Sequence, residues 1–144
     1  MKATGLAYNR MLGIRDAPVG AMHLLELPFT AALQNHLGTV HAAAQFSLAE
    51  AASAECLQRC FGAGIGPVVA VVRKAAVKYR HPATGDLLAF AEPDAPTSGQ
   101  LLSRLAARGR AAAVILVDLK DPSGTLTFHG QFEWIISRPA PPAP

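Results

Sequence analysis

Between residues 125 and 137 apolar and polar side chains alternate. Leu126, Phe128, Phe132, Trp134 and Ile136 point one way, and Thr127, His129, Gln131 and Glu133 the other. This period of two marks a strand with one buried face. Residues 68–80 repeat it less cleanly. Val69, Val71, Ala75, Val77 and Tyr79 fall on one side, and Lys74, Lys78 and Arg80 on the other. Residues 111–119 are apolar without alternation, which predicts a strand buried on both faces. Shorter strands are expected at 21–27, stopped by Pro28, and at 87–92, after a turn at Pro82, Gly85 and Asp86.

Residues 41–61 are rich in Ala, Leu, Glu and Gln and hold no Gly or Pro. They predict the longest helix, ended by Gly62, Gly64, Gly66 and Pro67. Shorter helices are expected at 4–12, opened by Thr4, and at 99–108 within the connection 93–109. Turns fall at 16–20 and 121–124, and the connection 29–40 has room for one helical turn. A strand, a long helix, then strands joined largely by tight turns describe an α+β domain with an antiparallel sheet. That domain spans 1–137, and the proline-rich segment 138–144 is expected to be disordered.

Composition narrows the functional classes. Of 144 residues 51% are hydrophobic and only 16% charged, which suits a chain that hides surface in an oligomer. The formal charge is +3 with no dense basic run in the sequence. This argues against nucleic acid as a partner and suits a small anionic ligand. No apolar run approaches the ~18 residues of a membrane span. No apolar signal core follows Lys2, so a cytoplasmic protein is expected. Cys56 and Cys60 lie four apart on the predicted helix, poor geometry for a disulfide, and read as buried free thiols in a reducing compartment. His23, His36, His81 and His129 lack the spacing of a zinc site, and no metal or cofactor is expected. Ser47 and Ser53 lack a nucleophile elbow.

The long helix carries two informative carboxylates. At about 100° per residue, Glu55, Gln58 and Arg59 share one direction, the face expected to meet solvent. Glu50 points about 140° away, among Phe46, Ser53, Leu57, Cys60 and Phe61. A carboxylate on a burying face needs a partner, water or a purpose, unless the helix buries Glu55 instead. Burial raises a carboxyl pKa, which suits a general acid or base.

The segment Asn35-His36-Leu37-Gly38-Thr39-Val40-His41-Ala42-Ala43-Ala44-Gln45-Phe46-Ser47-Leu48-Ala49-Glu50 resembles the hotdog-fold thioesterases of the phenylacetyl-CoA thioesterase type. Their motif has an Asn, a His-Gly-Gly six residues later, and an Asp or Glu nine residues beyond that His. Asn35, His41 and Glu50 match these intervals. Tyr79-Arg80-His81-Pro82-Ala83 with Gly85 is similar to a family strand end and turn. The resemblance implies a hotdog fold, a curved antiparallel sheet wrapped around one long central helix. It also implies a homodimer with a continuous sheet, and in some members a pair of dimers. The departure is His-Ala-Ala for His-Gly-Gly; alanine keeps each N–H but adds a methyl group.

The activity implied is hydrolysis of an acyl-CoA thioester. The Ala43 N–H, with Ala42 beside it, would hold the oxyanion. Glu50 would be general base or nucleophile, Asn35 would orient water or the carbonyl, His41 would organise the loop and the helix start or contact the substrate, and Gly38 with Ala42 would help bind the substrate. Ala43 and Glu50 stand about 10.5 Å apart on one helix, too far to serve one carbonyl. The site is therefore expected to combine Glu50 of one subunit with Asn35 and Ala43 of the other. Lys74, Lys78 and Arg80 share a strand face and are candidates for the CoA phosphates, against the plainer reading of a solvated face. A module that binds acyl-CoA without turnover is the alternative, and acyl-CoA dehydration a weaker third.

Overall fold

The computed structural model describes residues 2–139. After a 3-10 turn, Ala3–Gly5, come α1 (Ala7–Leu12), β1 (Arg15–Asp16), β2 (Leu25–Leu27) and a second 3-10 turn, Ala31–Leu33. Then follow α2 (Ala42–Ile65), β3 (Val69–Tyr79), β4 (Leu87–Pro93), α3 (Ala95–Arg108), β5 (Arg110–Lys120) and β6 (Leu126–Ser137). The six strands form one antiparallel sheet in the order β1-β2-β4-β5-β6-β3. The sheet curves around α2, the hotdog arrangement expected from the motif.

β6 behaves as its pattern demands. Phe128, Phe132, Trp134 and Ile136 are buried against α2, and Gly130 sits in the same row. A Cβ on Gly130 would lie 2.9 Å from the Phe128 and Phe132 rings, so glycine lets the two rings close over the strand. β5 departs from expectation. Ala111, Ala113, Ile115, Val117 and Leu119 are buried, whereas the alternate residues are exposed or half-buried. α2 and α3 contribute to one common core with these inward residues, so the sheet buries one face rather than two.

β3 also corrects the sequence pattern. Val72 pairs with Trp134 and Lys74 with Glu133, which leaves Arg73 as an extra residue, a β-bulge. The bulge reverses the alternation. Ala75, Val77 and Tyr79 share the inward row of Phe132, Gly130 and Phe128, whereas Val69 and Val71 turn outward and are 52% and 53% exposed. β3 lies at the sheet edge, so the backbone groups of its outer side have no strand partner among the described residues.

The long helix outruns its expected end. Gly62 and Gly64 lie inside it, although each costs about 1 kcal/mol there relative to alanine. Phe61 and Ile65, one turn apart and both buried, hold that last turn to the core, and Leu102 of α3 packs over Gly64. Gly66, at φ +69°, ends the helix. α3 begins at Ala95, earlier than expected, because Asp94 caps it by accepting the Thr97 N–H at 2.8 Å, with Pro96 in the first turn. The strand expected at 21–27 shortens to β2, and the expected turn at 16–20 begins with β1. Of the segment 138–144, the Arg138 N–H donates to the Gly109 carbonyl at 2.9 Å; residues 140–144 lie outside the described residues.

Candidate functional site

The residues before α2 build a compact loop. The Asn35 carboxamide oxygen accepts the N–H groups of Leu37 at 2.9 Å and Thr39 at 3.1 Å, and its nitrogen donates to Thr39 Oγ1 at 2.9 Å. The Asn35 backbone N–H also donates to the Thr39 carbonyl at 2.8 Å. Gly38 supplies the φ of +76° that this turn requires. Asn35 therefore shapes the loop that delivers the chain to the helix, with most of its hydrogen-bonding capacity used there.

His41 is the N-cap of α2. Its Nδ1 accepts the Ala43 N–H at 3.0 Å, and its carbonyl accepts the N–H groups of Ala44 at 3.0 Å and Gln45 at 3.2 Å. The Ala42 N–H has no acceptor among the described residues, and the first turn carries no acid to offset the positive end of the helix dipole. Tyr79 approaches from β3. Its hydroxyl donates to the Ala42 carbonyl at 3.1 Å, and its ring stands edge-on to Phe128 at 5.3 Å. Partial burial pushes the Tyr79 phenol above its usual range.

These elements surround a cavity of about 360 Å³ lined by Asn35, Ala42, Gln45, Tyr79, Arg80 and Ala83, among others. Three residues singled out from the sequence, Asn35, Ala42 and Arg80, thus meet at one hollow. Gln45 and Tyr79 were not singled out. Gln45 is only 5% exposed, and its Oε1 is a buried oxygen without a partner. Its signal was a polar residue one turn after His41 in an otherwise alanine-rich stretch.

Glu50 does not line that cavity. It is half-buried on the unbroken helix, and the Ser53 hydroxyl donates to its backbone carbonyl at 2.7 Å. Its carboxylate has no hydrogen-bond partner among the described residues, and burial pushes its pKa up. Glu55 overturns the expectation of a solvated face. It is 3% exposed, accepts from Arg59 Nε at 2.8 Å and lies 3.4 Å from the Ala3 N–H. The N-terminal segment packs over this side of α2, where the Tyr8 hydroxyl also meets Ser47 Oγ at 3.0 Å. Cys56 is buried and its thiol is pushed up to about 12, chiefly by desolvation. Cys60 is exposed, contrary to expectation, with the two sulfurs 3.9 Å apart as free thiols.

Lys74 and Lys78 lie on the outer row of β3, paired with Glu133 and His129. Lys78 and Arg80 border a second hollow of about 530 Å³ with Asp118, His129 and Gln131. There His129 Nδ1 and Asp118 Oδ1 are 2.6 Å apart. No helix among the described residues is long and apolar enough to cross a membrane.

The fold and the cavity can be set beside known proteins. The chain is similar to a Pseudomonas aeruginosa protein of unknown function named a probable thioesterase, at 24% identity over 94% of this chain and 90% of that one, with a TM-score of 0.78. It is similar to a Haemophilus influenzae thioesterase at 16% identity, covering 94% and 85%, TM-score 0.69. A Bacillus halodurans protein solved with CoA gives 18%, 90% and 74%, and 0.69. No curated protein matches by sequence. At these identities the likenesses establish the fold. A family described as a domain of unknown function, DUF4442, matches residues 20–136. The chain belongs to the DUF4442 family and carries it on a hotdog fold.

Proposed function

We propose that the protein hydrolyses acyl-CoA thioesters at the cavity beside the start of α2. The observation that carries this reading is the unpaired Ala42 N–H at the positive end of a 24-residue helix, opening on a cavity that Asn35, Tyr79 and Arg80 share. A thioester carbonyl seated there meets a fixed donor aimed at developing negative charge. Ala43 adds a second donor when the His41 imidazole turns away from it. Asn35 holds the loop and has one N–H left for water or substrate. Arg80 lies at the mouth, near the CoA phosphates; Lys74 and Lys78, on the outer row, are second to it.

Glu50 supplies the base, activating water or attacking the carbonyl itself. Ala43 and Glu50 are seven residues apart on one continuous helix, about 10.5 Å. One chain therefore cannot bring both to one carbonyl, and the working unit is a homodimer in which Glu50 of the partner subunit faces this cavity. The free edge of β3 is the strand through which two sheets would join. Two free thiols fit action in the cytoplasm.

A second reading, an acyl-CoA-binding module without turnover, draws support from His41, which already occupies the Ala43 N–H. Thiol release from short, medium and aromatic acyl-CoAs, with light scattering on the same samples, separates the two. Turnover by a dimer, abolished in Glu50→Gln with its assembly intact, supports hydrolysis. Binding without turnover selects the module, and full activity in a monomer defeats the composite site.

A further inference from the structure

Arg73, Arg104, Arg108 and Arg110 line one open hollow of about 690 Å³ at the end of the sheet away from the start of α2. Ala111, Ala112 and Ile135 complete its lining. Three elements converge to make it. Arg73 is the bulged residue of β3, Arg104 and Arg108 stand one turn apart on α3, and Arg110 opens β5 just past the reversal at Gly109. Four of the thirteen Lys and Arg residues of the chain thus share one site. One carboxylate answers them: Glu133, paired with Arg73. Arg104, Arg108 and Arg110 form no ion pair among the described residues.

Like charges four apart on a helix destabilise it, and further cations around the same hollow add to that cost. The helix dipole offsets part of the charge on Arg108, in the last turn, and does nothing for Arg73. Guanidinium groups are planar forks that hold phosphate oxygens in pairs. Three of them unpaired at one hollow suit a ligand with several negative charges, and Ala111, Ala112 and Ile135 among the lining leave a small apolar contact for an organic body attached to it. The volume lies in the range of small-molecule sites. We propose that this hollow binds an organic polyphosphate of the nucleotide class.

Two sources offer that chemistry: the 3′-phosphorylated ADP end of CoA, and a free nucleoside polyphosphate. The first rests on the thioesterase reading and moves the CoA phosphates from Arg80 to this hollow, because Arg73 and Tyr79 are joined by β3 over about 20 Å, a span for the pantetheine arm. The binding itself does not rest on it.

The test is calorimetric titration of the full chain at low salt with adenosine 3′,5′-bisphosphate, ATP, CoA and dephospho-CoA. It is repeated on Arg104→Glu/Arg108→Glu and on the milder Arg104→Gln/Arg108→Gln. All these side chains are exposed, and circular dichroism checks the fold. Wild type is expected to bind the bisphosphate or ATP, more weakly as salt rises, and the charge reversal to weaken that binding at least tenfold. CoA favoured over dephospho-CoA in wild type but not in the variants assigns the site to the end of CoA. ATP bound in a way the variants abolish, with CoA binding unchanged, assigns it to a free nucleotide. No binding of any of the four by wild type, or equal affinities in wild type and both variants, overturns the proposal. Thiol release from acetyl-CoA, followed in parallel, reports on the thioesterase reading separately.

Discussion

The imidazole Nδ1 of His41 accepts the N–H of Ala43 at 3.0 Å, so the side chain that opens the long helix also closes its first turn. Capping side chains contribute about 0.5–2 kcal/mol, and here no acid in the first turn shares the task. His41→Ala is expected to lower stability by about 1 kcal/mol in urea unfolding, whereas His41→Asn, which can cap in the same manner, retains most of it. Equal losses in the two variants would show that the cap contributes nothing and that His41 acts through packing.

Glu55 and Arg59 form the other fixed relationship on α2, with the glutamate side chain buried and the arginine side chain 45% exposed. Removing the cation leaves a buried charge answered only by the Ala3 N–H at 3.4 Å. Arg59→Met is therefore expected to destabilise by about 1–3 kcal/mol, and adding Glu55→Gln to recover part of that loss. Thermal unfolding of the two single variants and the double variant measures the coupling. Strict additivity would mean that the pair is no more than a surface contact.

What the sequence revealed and what it concealed divide along the range of the interactions. β6 was legible because alternation is local and one face of that strand is buried throughout. Asn35 and His41 stood out only through the intervals of the motif, and the turn that Asn35 and Gly38 build and the cap that His41 makes emerged from the structure. The burial of Glu55 was not, since it depends on Ala3, 52 residues away, lying across the helix. Nor was the bulge at Arg73, which transfers Val69 and Val71 to the outer face and shows only in the pairing with β6. The continuation of α2 through Gly62 and Gly64 depends on burial of Phe61 and Ile65, which outweighs the propensity that predicts a stop. The arginine hollow joins Arg73 of β3 to three arginines that share residues 104–110, and that joining is what no window of sequence displays.

Gly130 tests how closely the inward row of β6 is packed. A methyl group there would approach the Phe128 and Phe132 rings to 2.9 Å, and both rings are fully buried with little freedom to yield. Gly130→Ala is expected to cost about 1–3 kcal/mol despite the better strand propensity of alanine. The same change at Gly85, where a Cβ would meet nothing, should leave the urea midpoint almost unmoved. A neutral Gly130→Ala would mean that the rings can part without loss.

Glu50 links stability to activity in opposite directions. Its carboxyl is desolvated without a partner, so its pKa is raised in the folded chain. Between the unfolded and folded pKa values the native state then binds more protons than the unfolded state. The contribution of Glu50 is accordingly greatest below the unfolded value and falls as pH rises through the folded one. Glu50→Gln removes this penalty and is expected to stabilise the protein at pH 7, only modestly because the site is half open to solvent. The advantage should vanish below the ordinary glutamate range. If Glu50 is the catalytic base, thiol release in wild type should rise with pH along a limb displaced above that range, and the variant should show no such limb. Unfolding midpoints of both proteins at pH 4 and pH 7, beside the pH profile of turnover, decide the matter. A variant less stable at pH 7 would mean that the carboxylate has a partner in the working assembly, and a limb shared by both proteins would remove Glu50 from the chemistry.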